Sequence, residues 1–231
     1  MLLDLIRSGD DFKEVLIMLL LQIPIILFSL SFHEAAHALI ADKMGDHTAR
    51  NLGRITLNPL KHFDPIGSLC MLLVGIGWAK PVPINARNFD NPKKGMALSG
   101  LAGPVSNLIL GFIGELGCCI TNSVYIHFFT SAGASAYTLI EIVYNFFFLL
   151  SYMNIYLALF NLIPIPPFDG SRIFFSILPD KIYFGVMKYE RVIMIVVLIL
   201  LWTGFIDLPF AWLTDKILYL FDLIIGLVPF L

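Results

Sequence analysis

The stretch Ser31-Phe-His33-Glu34-Ala-Ala-His37-Ala-Leu-Ile40 places two imidazoles and a carboxylate in an otherwise apolar run. It contains the pattern H-E-x-x-H. On a helix, His33 and His37 project from one face, and this spacing allows both to bind a single zinc ion. Glu34 lies beside them, where a carboxylate can take a proton from an attacking water. The stretch therefore predicts a helical metal-binding motif.

The residues before this motif indicate a membrane-spanning helix. Val15 to Phe32 are eighteen residues without a charge, long enough to cross a bilayer, and no turn signal separates them from His33. Lys43 lies about 9 Å beyond His37 at 1.5 Å per residue. We therefore expect a first helix from near residue 11 to about 42. The motif would lie within the membrane but near one surface, and ionisable groups at that depth need a partner, a cavity or a metal. The alternative is a helix end whose polar side chains only reach the lipid headgroups.

The composition indicates a polytopic membrane protein. Of 231 residues, 58% are hydrophobic and 14% are charged, whereas about a quarter of a soluble domain is charged. The net charge is −2 and no basic block lies outside short loops, which argues against nucleic acid as a partner. The first residues lack the basic region of a removable signal peptide. The three cysteines form no C-x-x-C pair, so we expect neither a disulfide framework nor a cysteine zinc site.

The polar segment after the first helix is predicted to be cytoplasmic. Residues 43–94 hold eight of the fifteen lysines and arginines, and positively charged loops stay inside. Within it, Ile66 to Trp78 is apolar, glycine-rich and too short to cross a membrane. We interpret it as a re-entrant, β-hairpin-like element against the motif helix. Two prolines between residues 78 and 85 favour an extended backbone, so residues 66–85 could offer an edge for a bound peptide.

The apolar runs predict an all-α polytopic fold with about five transmembrane helices. The second span covers residues 96–120 and the third covers 137–163, and two shorter spans follow at about 192–205 and 210–231. Charges at Asp215, Lys216 and Asp222 make the last of these amphipathic, so it could instead lie in the interface. We expect one membrane-embedded domain over residues 1–231, with a core at about 11–178 and accessory spans at about 190–231.

A third metal ligand is predicted where the third span ends, in Asn161-Leu-Ile-Pro-Ile-Pro-Pro-Phe-Asp169-Gly170. Pro164 stops the helix, and the prolines keep the following run extended. The first span runs inward, the second outward and the third inward, so Asp169 ends on the same side of the membrane as the two histidines. Three protein ligands with one open position suit a catalytic zinc. Asp169 could alternatively cap a helix. The other candidates for the third ligand are His47, His62 and Glu115.

Asn154 and Asn161 of the third span lie deep enough in the membrane to require partners, and Asn107 is a further polar residue in the second span. Asn107 follows Gly103-Pro104 in the second span, and Asn161 ends the third span. Asn107 could form a hydrogen bond between helices, or it could face the metal cavity and hold substrate backbone.

Taken together, the helix motif, Gly103-Pro104-x-x-Asn107 and Asn161-x-x-Pro164-x-Pro166-x-x-Asp169-Gly170 resemble the site-2 protease family of intramembrane zinc metalloproteases. The resemblance covers roughly residues 25–175. It implies that His33, His37 and Asp169 bind one zinc ion, that Glu34 is the catalytic carboxylate, and that Asn107 and Asn161 lie near the active centre. Compact bacterial members carry similar loops, and we expect neither a PDZ module between the first two core spans nor a C-terminal regulatory domain.

This resemblance predicts hydrolysis of peptide bonds in or next to the transmembrane segments of protein substrates. The enzyme would lie in the lipid bilayer of a bacterial cell, with its active site near the cytoplasmic face. Two other classes remain open. A metal or proton transporter would use the same polar residues as a path, although Val15 to Phe32 offers it no charged step. An inactive binding relative would keep the fold without the reaction.

Overall fold

Long α-helices form most of the chain in the computed structural model, which describes residues 12–74, 79–129, 134–178, 189–202 and 207–227. A 3-10 turn, Ala86–Asn88, lies in the loop region, and the π-helical segment Tyr125–Phe129 extends one long helix. No strand occurs among the described residues. The α-helices are α1 (Phe12–Lys43), α2 (Thr48–Asn51), α3 (Pro59–His62), α4 (Pro65–Val74), α5 (Pro92–Val124), α6 (Ala134–Asn161), α7 (Asp169–Ile177), α8 (Glu190–Trp202) and α9 (Asp207–Ile225).

Three of the described helices are long and apolar enough to cross a membrane. They cover Val15–Lys43, Pro92–His127 and Tyr137–Asn161, which confirms the first three predicted spans. The helix α1 continues through Pro24. The predicted fourth and fifth spans are not among the three. The described part of α8 has 13 residues, and α9 carries the charged residues Asp215, Lys216 and Asp222.

The β-hairpin predicted for residues 66–78 is wrong for the part that the structure describes. Pro65–Val74 is an α-helix, and residues 75–78 lie outside the described residues. Pro65 suits the first turn of a helix, and the Asp64 carboxylate accepts a hydrogen bond of 2.8 Å from the Gly67 N–H. These signals at the helix start, with the leucines and methionine that follow, outweigh the glycines.

The helix α5 packs against α1, α6, α7 and α9. Small residues allow this close packing. A Cβ atom added to Gly111 would lie 2.8 Å from Ile155, and one added to Gly114 would lie 2.6 Å from the backbone nitrogen of Ser151. The two helices α5 and α6 therefore meet nearly backbone to backbone at these glycines.

The loop before α5 is tied to the end of α1 through the buried carboxylate of Asp46. Its Oδ1 accepts hydrogen bonds from the Thr48 hydroxyl at 2.5 Å and the Asn88 amide at 2.8 Å, and its Oδ2 accepts one from the Asn85 N–H at 2.7 Å. Burial by itself would raise the pKa of Asp46, but these hydrogen bonds hold it below its usual range. The ionised carboxylate thus anchors residues 85–88 beside the motif helix.

Candidate metal centre

The two histidines of the motif meet on one face of α1. His33 and His37 are four residues apart, and both are buried. Their ring centroids are 4.5 Å apart at 88°, and their Nε2 atoms are 2.9 Å apart. This is the arrangement that the i, i+4 spacing predicts for a continuous helix.

Asp169 approaches the same point from a different part of the chain. The helix α6 ends at Asn161, and a proline-rich run leads to Asp169, which is the first residue of α7. Its Oδ2 lies 3.0 Å from His33 Nε2 and 3.1 Å from His37 Nε2. The side chain forms no helix cap, and a carboxylate in the first turn is favoured by the helix dipole.

The three atoms form a triangle that fits a metal ion. The triangle consists of three atoms of buried residues: His33 Nε2, His37 Nε2 and Asp169 Oδ2. In a tetrahedral zinc site, bonds of about 2.0–2.1 Å place neighbouring ligand atoms roughly 3.3 Å apart, which is close to the separations found here. Two nitrogens and one oxygen are also a donor set that zinc accepts, with a fourth position left open. The group could therefore hold a zinc ion.

The charge of Asp169 is favoured by its neighbours. Burial would raise the pKa of this carboxyl, but hydrogen bonds and attraction from His33 and His37 outweigh burial and hold the pKa well below its usual range. The Arg172 guanidinium is 3.8 Å from Asp169 Oδ1 and adds positive charge on the side away from the histidines. Asp169 is therefore an anionic candidate ligand at neutral pH.

The two histidines differ in the contacts of their Nδ1 atoms. His37 Nδ1 donates a hydrogen bond of 2.6 Å to the Ser99 carbonyl, which in the neutral ring leaves the lone pair of Nε2 for a metal ion. This is the usual support of a metal-binding histidine. His33 Nδ1 is buried and has no hydrogen-bond partner within the described part of the chain.

Gly103 brings α5 directly against the two imidazoles. A Cβ atom added there would lie 2.5 Å from His33 Cε1 and 2.5 Å from His37 Nε2. Two rings held by helix packing and by Ser99 cannot both move aside without losing the triangle. The glycine of the Gly103-Pro104 motif is thus required by the space around the candidate ligands.

We expect Gly103→Ala to weaken zinc binding by at least the roughly 10- to 100-fold that follows loss of an outer-shell partner. The added methyl group would displace one imidazole from Asp169. Zinc content of the purified protein, measured by atomic absorption after dialysis against a zinc buffer, tests this. Gly111→Ala is the matched control, because its methyl group would meet Ile155 rather than a histidine. Equal zinc content in both variants would contradict the prediction.

Glu34 is half-buried and lies one residue after His33. Its Oε2 accepts a hydrogen bond of 2.7 Å from the backbone N–H of Val82. Its Oε1 accepts none from the residues that the structure describes. One oxygen of the predicted catalytic carboxylate is therefore held by the loop, and the other is available.

The two predicted asparagines differ in their surroundings. Asn107 is buried one turn after Gly103, and its Oδ1 has no partner among the described residues. Asn161 is half-buried at the end of α6, and its Nδ2 donates a hydrogen bond of 2.9 Å to the Leu157 carbonyl. Asn107 thus shares a helix face with Gly103, whereas the amide of Asn161 is used within its own helix.

The alternative third ligands lie in other contacts. His47 Nδ1 is 2.8 Å from Asp42 Oδ1, and His62 Nε2 donates a hydrogen bond of 2.9 Å to the Thr56 carbonyl. Glu115 accepts a hydrogen bond of 3.0 Å from the Ser151 hydroxyl. In the described chain, Asp169 is the acidic residue that meets both histidines.

The predicted peptide edge over residues 66–85 is largely taken up by the chain itself. Its first part is α4. In residues 79–85, the N–H groups of Lys80, Val82 and Asn85 donate to His62, Glu34 and Asp46, respectively. The prolines predicted an extended backbone, but they could not indicate that these N–H groups already have partners.

The motifs and their geometry agree with a match between residues 22–204 and the profile of Peptidase family M50. The chain belongs to peptidase family M50. The predicted resemblance to site-2 proteases, which form this family, is thereby confirmed, and this M50 chain is a membrane protein with apolar helices of spanning length.

Two curated bacterial relatives are similar to this M50 chain. "Putative zinc metalloprotease YwhC" of Bacillus subtilis is 41% identical over 175 residues, which cover 76% of this chain and 77% of the relative. "Putative zinc metalloprotease Rip2" of Mycolicibacterium smegmatis is 32% identical over 149 residues, which cover 62% of this chain and 52% of the relative. No solved structure matches the chain significantly.

Several residues around the centre carry no sequence signal of their own. Ser99 contributes only its backbone carbonyl, and Val82 contributes only its N–H. Any residue could supply the carbonyl, and any residue except proline could supply the N–H. The one available hint is Pro81-Val82-Pro83, because two prolines leave Val82 as the single N–H donor of the three residues.

Proposed function

We propose that this M50 enzyme hydrolyses peptide bonds in or next to transmembrane segments of membrane-protein substrates, with one zinc ion held by His33, His37 and Asp169. The observation that carries the proposal is the triangle of three buried ligand atoms, 2.9–3.1 Å apart, near the polar end of a helix that is long and apolar enough to span a membrane. This depth suits a scissile bond near the end of a substrate helix.

Glu34 is proposed as the general base and then the general acid. A bound zinc ion supplies Lewis-acid chemistry, which polarises the scissile carbonyl and makes water more acidic. The Glu34 oxygen that Val82 does not hold takes the proton as the water oxygen bonds to the carbonyl carbon. Glu34 then gives the proton to the amide nitrogen as the C–N bond breaks. The second hydrogen of the water stays on the new carboxyl group and then passes to the amine, so the products are one carboxylate and one ammonium group.

Asn107 is proposed to hold the substrate near the ligands. It is buried on the face of α5 that also carries Gly103, so its amide can hydrogen-bond substrate backbone or the developing oxyanion. The same role for Asn161 requires its amide to leave the Leu157 carbonyl. Of the two asparagines, Asn107 therefore has the stronger support.

The substrate segment has to unwind before cleavage. A helix keeps its carbonyl groups in internal hydrogen bonds, so a peptide bond becomes available only where the helix ends or opens. We propose that this occurs near the cytoplasmic face of a bacterial cell membrane, because the loop region 43–94 is rich in lysine and arginine. Residues 11–178 would form the catalytic core, and α8 and α9 would complete a five-span bundle.

Metal removal tests the proposal. We expect the purified protein in lipid vesicles to cleave a single-span substrate, to lose this activity after treatment with a zinc chelator, and to regain it when Zn²⁺ but not Mg²⁺ is added back. Oxygen and nitrogen donors in a three-ligand site explain this preference. A substrate without a transmembrane segment is the control. Cleavage by metal-free protein would contradict the proposal.

A further inference from the structure

A single backbone donor connects the loop to the predicted catalytic carboxylate. In Pro81-Val82-Pro83, neither proline has an N–H group. The one N–H of these three residues, that of Val82, donates to Glu34 Oε2 at 2.7 Å. The loop therefore directs the single donor of this segment at Glu34.

Arg54 holds this segment from the other side. Its side chain is buried, and its Nη2 donates to the Lys80 carbonyl at 2.7 Å and to the Pro81 carbonyl at 3.3 Å. No carboxylate of the described chain forms an ion pair with it. A buried guanidinium needs compensating contacts, and here backbone carbonyls of the loop provide them. Arg54 thus fixes the two residues immediately before Val82.

His62 fixes the same segment through its backbone. The Lys80 N–H donates to the His62 carbonyl at 2.9 Å. Burial lowers the pKa of His62, and the charge of Arg54 lowers it further, so the ring is neutral and adds no second cation beside Arg54. We call Arg54, His62 and residues 80–82 the loop brace.

The loop brace packs against the motif helix. The Val82 side chain is buried with Ala38 and Ala49, and Ala38 directly follows His37. The apolar contact and the hydrogen bond to Glu34 therefore act about one turn apart on the same face of α1. Together they leave the Val82 N–H little freedom to leave the carboxylate.

We propose that Arg54 and the Val82 N–H are positioning groups for the reaction: the loop brace orients the Glu34 carboxylate so that Oε1 faces the substrate. This inference rests on the proposed role of Glu34 as the base. Neither Arg54 nor Val82 touches the reacting atoms. Their effect is on kcat, because a base misplaced by about 1 Å can lower the rate roughly 10²-fold while substrate binding is unchanged.

The sharpest test is Val82→Pro, which removes the N–H and keeps an apolar residue in a proline-rich run. We expect kcat to fall about 10- to 100-fold, with KM and zinc content unchanged. Val82→Ala is the matched control, because it loses buried methyl groups but keeps the N–H. We expect Val82→Ala to melt at a lower temperature and to retain a kcat near that of the wild type.

Arg54 is tested independently by amide hydrogen exchange. We expect the peptide covering residues 79–85 to gain exchange in Arg54→Ala, and Arg54→Lys, which keeps a donor, to restore part of the protection and part of kcat. Arg50→Ala is the control, since the exposed Arg50 pairs with Asp42 outside the loop brace. If Val82→Pro does not fold, the Arg54 variants test the inference through kcat and through amide exchange of residues 79–85.

The outcomes separate this inference from the proposed function. A wild-type kcat in Val82→Pro, or in Arg54→Ala with increased exchange, overturns the loop brace and leaves Glu34 untouched. Full turnover in Glu34→Gln would instead overturn the proposed base itself. Loss of zinc in Val82→Pro would also overturn the inference, because it would mean that the loop acts on the metal ligands.

Discussion

Glu34→Gln is expected to lower cleavage of a membrane substrate by about 10²- to 10⁴-fold, which is the usual contribution of a general acid–base group. Gln is nearly the same size as Glu and its amide oxygen can still accept the hydrogen bond from Val82. It cannot take a proton from water, however. We therefore expect zinc content and melting temperature close to those of the wild type, with the loss confined to kcat.

The measurement compares initial rates in lipid vesicles at saturating substrate, together with zinc analysis of the same preparations. Glu115→Gln is the matched control, because it makes the same chemical change at a buried glutamate that contacts Ser151 rather than the histidines. Substantial turnover by zinc-loaded Glu34→Gln would exclude Glu34 as the base. Loss in both glutamine variants would indicate general damage to the bundle.

Asp169→Ala is expected to lower zinc affinity by more than the roughly 10- to 100-fold typical of losing an outer-shell partner. The change removes the anionic corner of the triangle and leaves two imidazoles with Nε2 atoms 2.9 Å apart. Cleavage should fall in parallel because the metal is lost. Zinc affinity, measured by competition with a chromophoric chelator, tests the ligand separately from the reaction.

Two controls separate the ligand from its surroundings. Asp215→Ala removes an exposed carboxylate on α9 and should leave zinc affinity unchanged. Arg172→Ala keeps the carboxylate and removes the guanidinium 3.8 Å from its other oxygen, so we expect a much smaller loss than in Asp169→Ala. If zinc affinity were unchanged in Asp169→Ala, the third ligand would have to be another residue.

The motif helix was predictable because one local property determines it. An uncharged run of eighteen residues leads into His33 without a break, and a helix satisfies its own backbone in a membrane. The expected bounds of 11–42 agree with the observed Phe12–Lys43. The same argument predicted the second and third spans. Because the three spans cross the membrane in alternating directions, it also placed Asp169 on the same side as the two histidines.

The loop was less predictable because its signals conflict. Glycines and a short apolar run in residues 66–78 favoured a hairpin, whereas the Asp64-Pro65 start favoured the helix that is observed. The helical and hairpin conformations of such a short segment differ by only a small intrinsic free energy. Packing against α1 can decide between them, and packing is not written in the local sequence.

The sequence by itself determined which residue types could bind a metal, which helix carries the two histidines, and that Asp169 would end on the same side of the fold as they do. These follow from composition and spacing along one chain segment. Only the tertiary structure decided the distances: the 3.0 Å approach of Asp169 to His33, the fit of Gly103 against both rings, and the contacts of Arg54 and Val82 that end on Glu34. Such contacts join residues far apart in sequence through backbone groups that every residue carries, so no residue pattern predicts them.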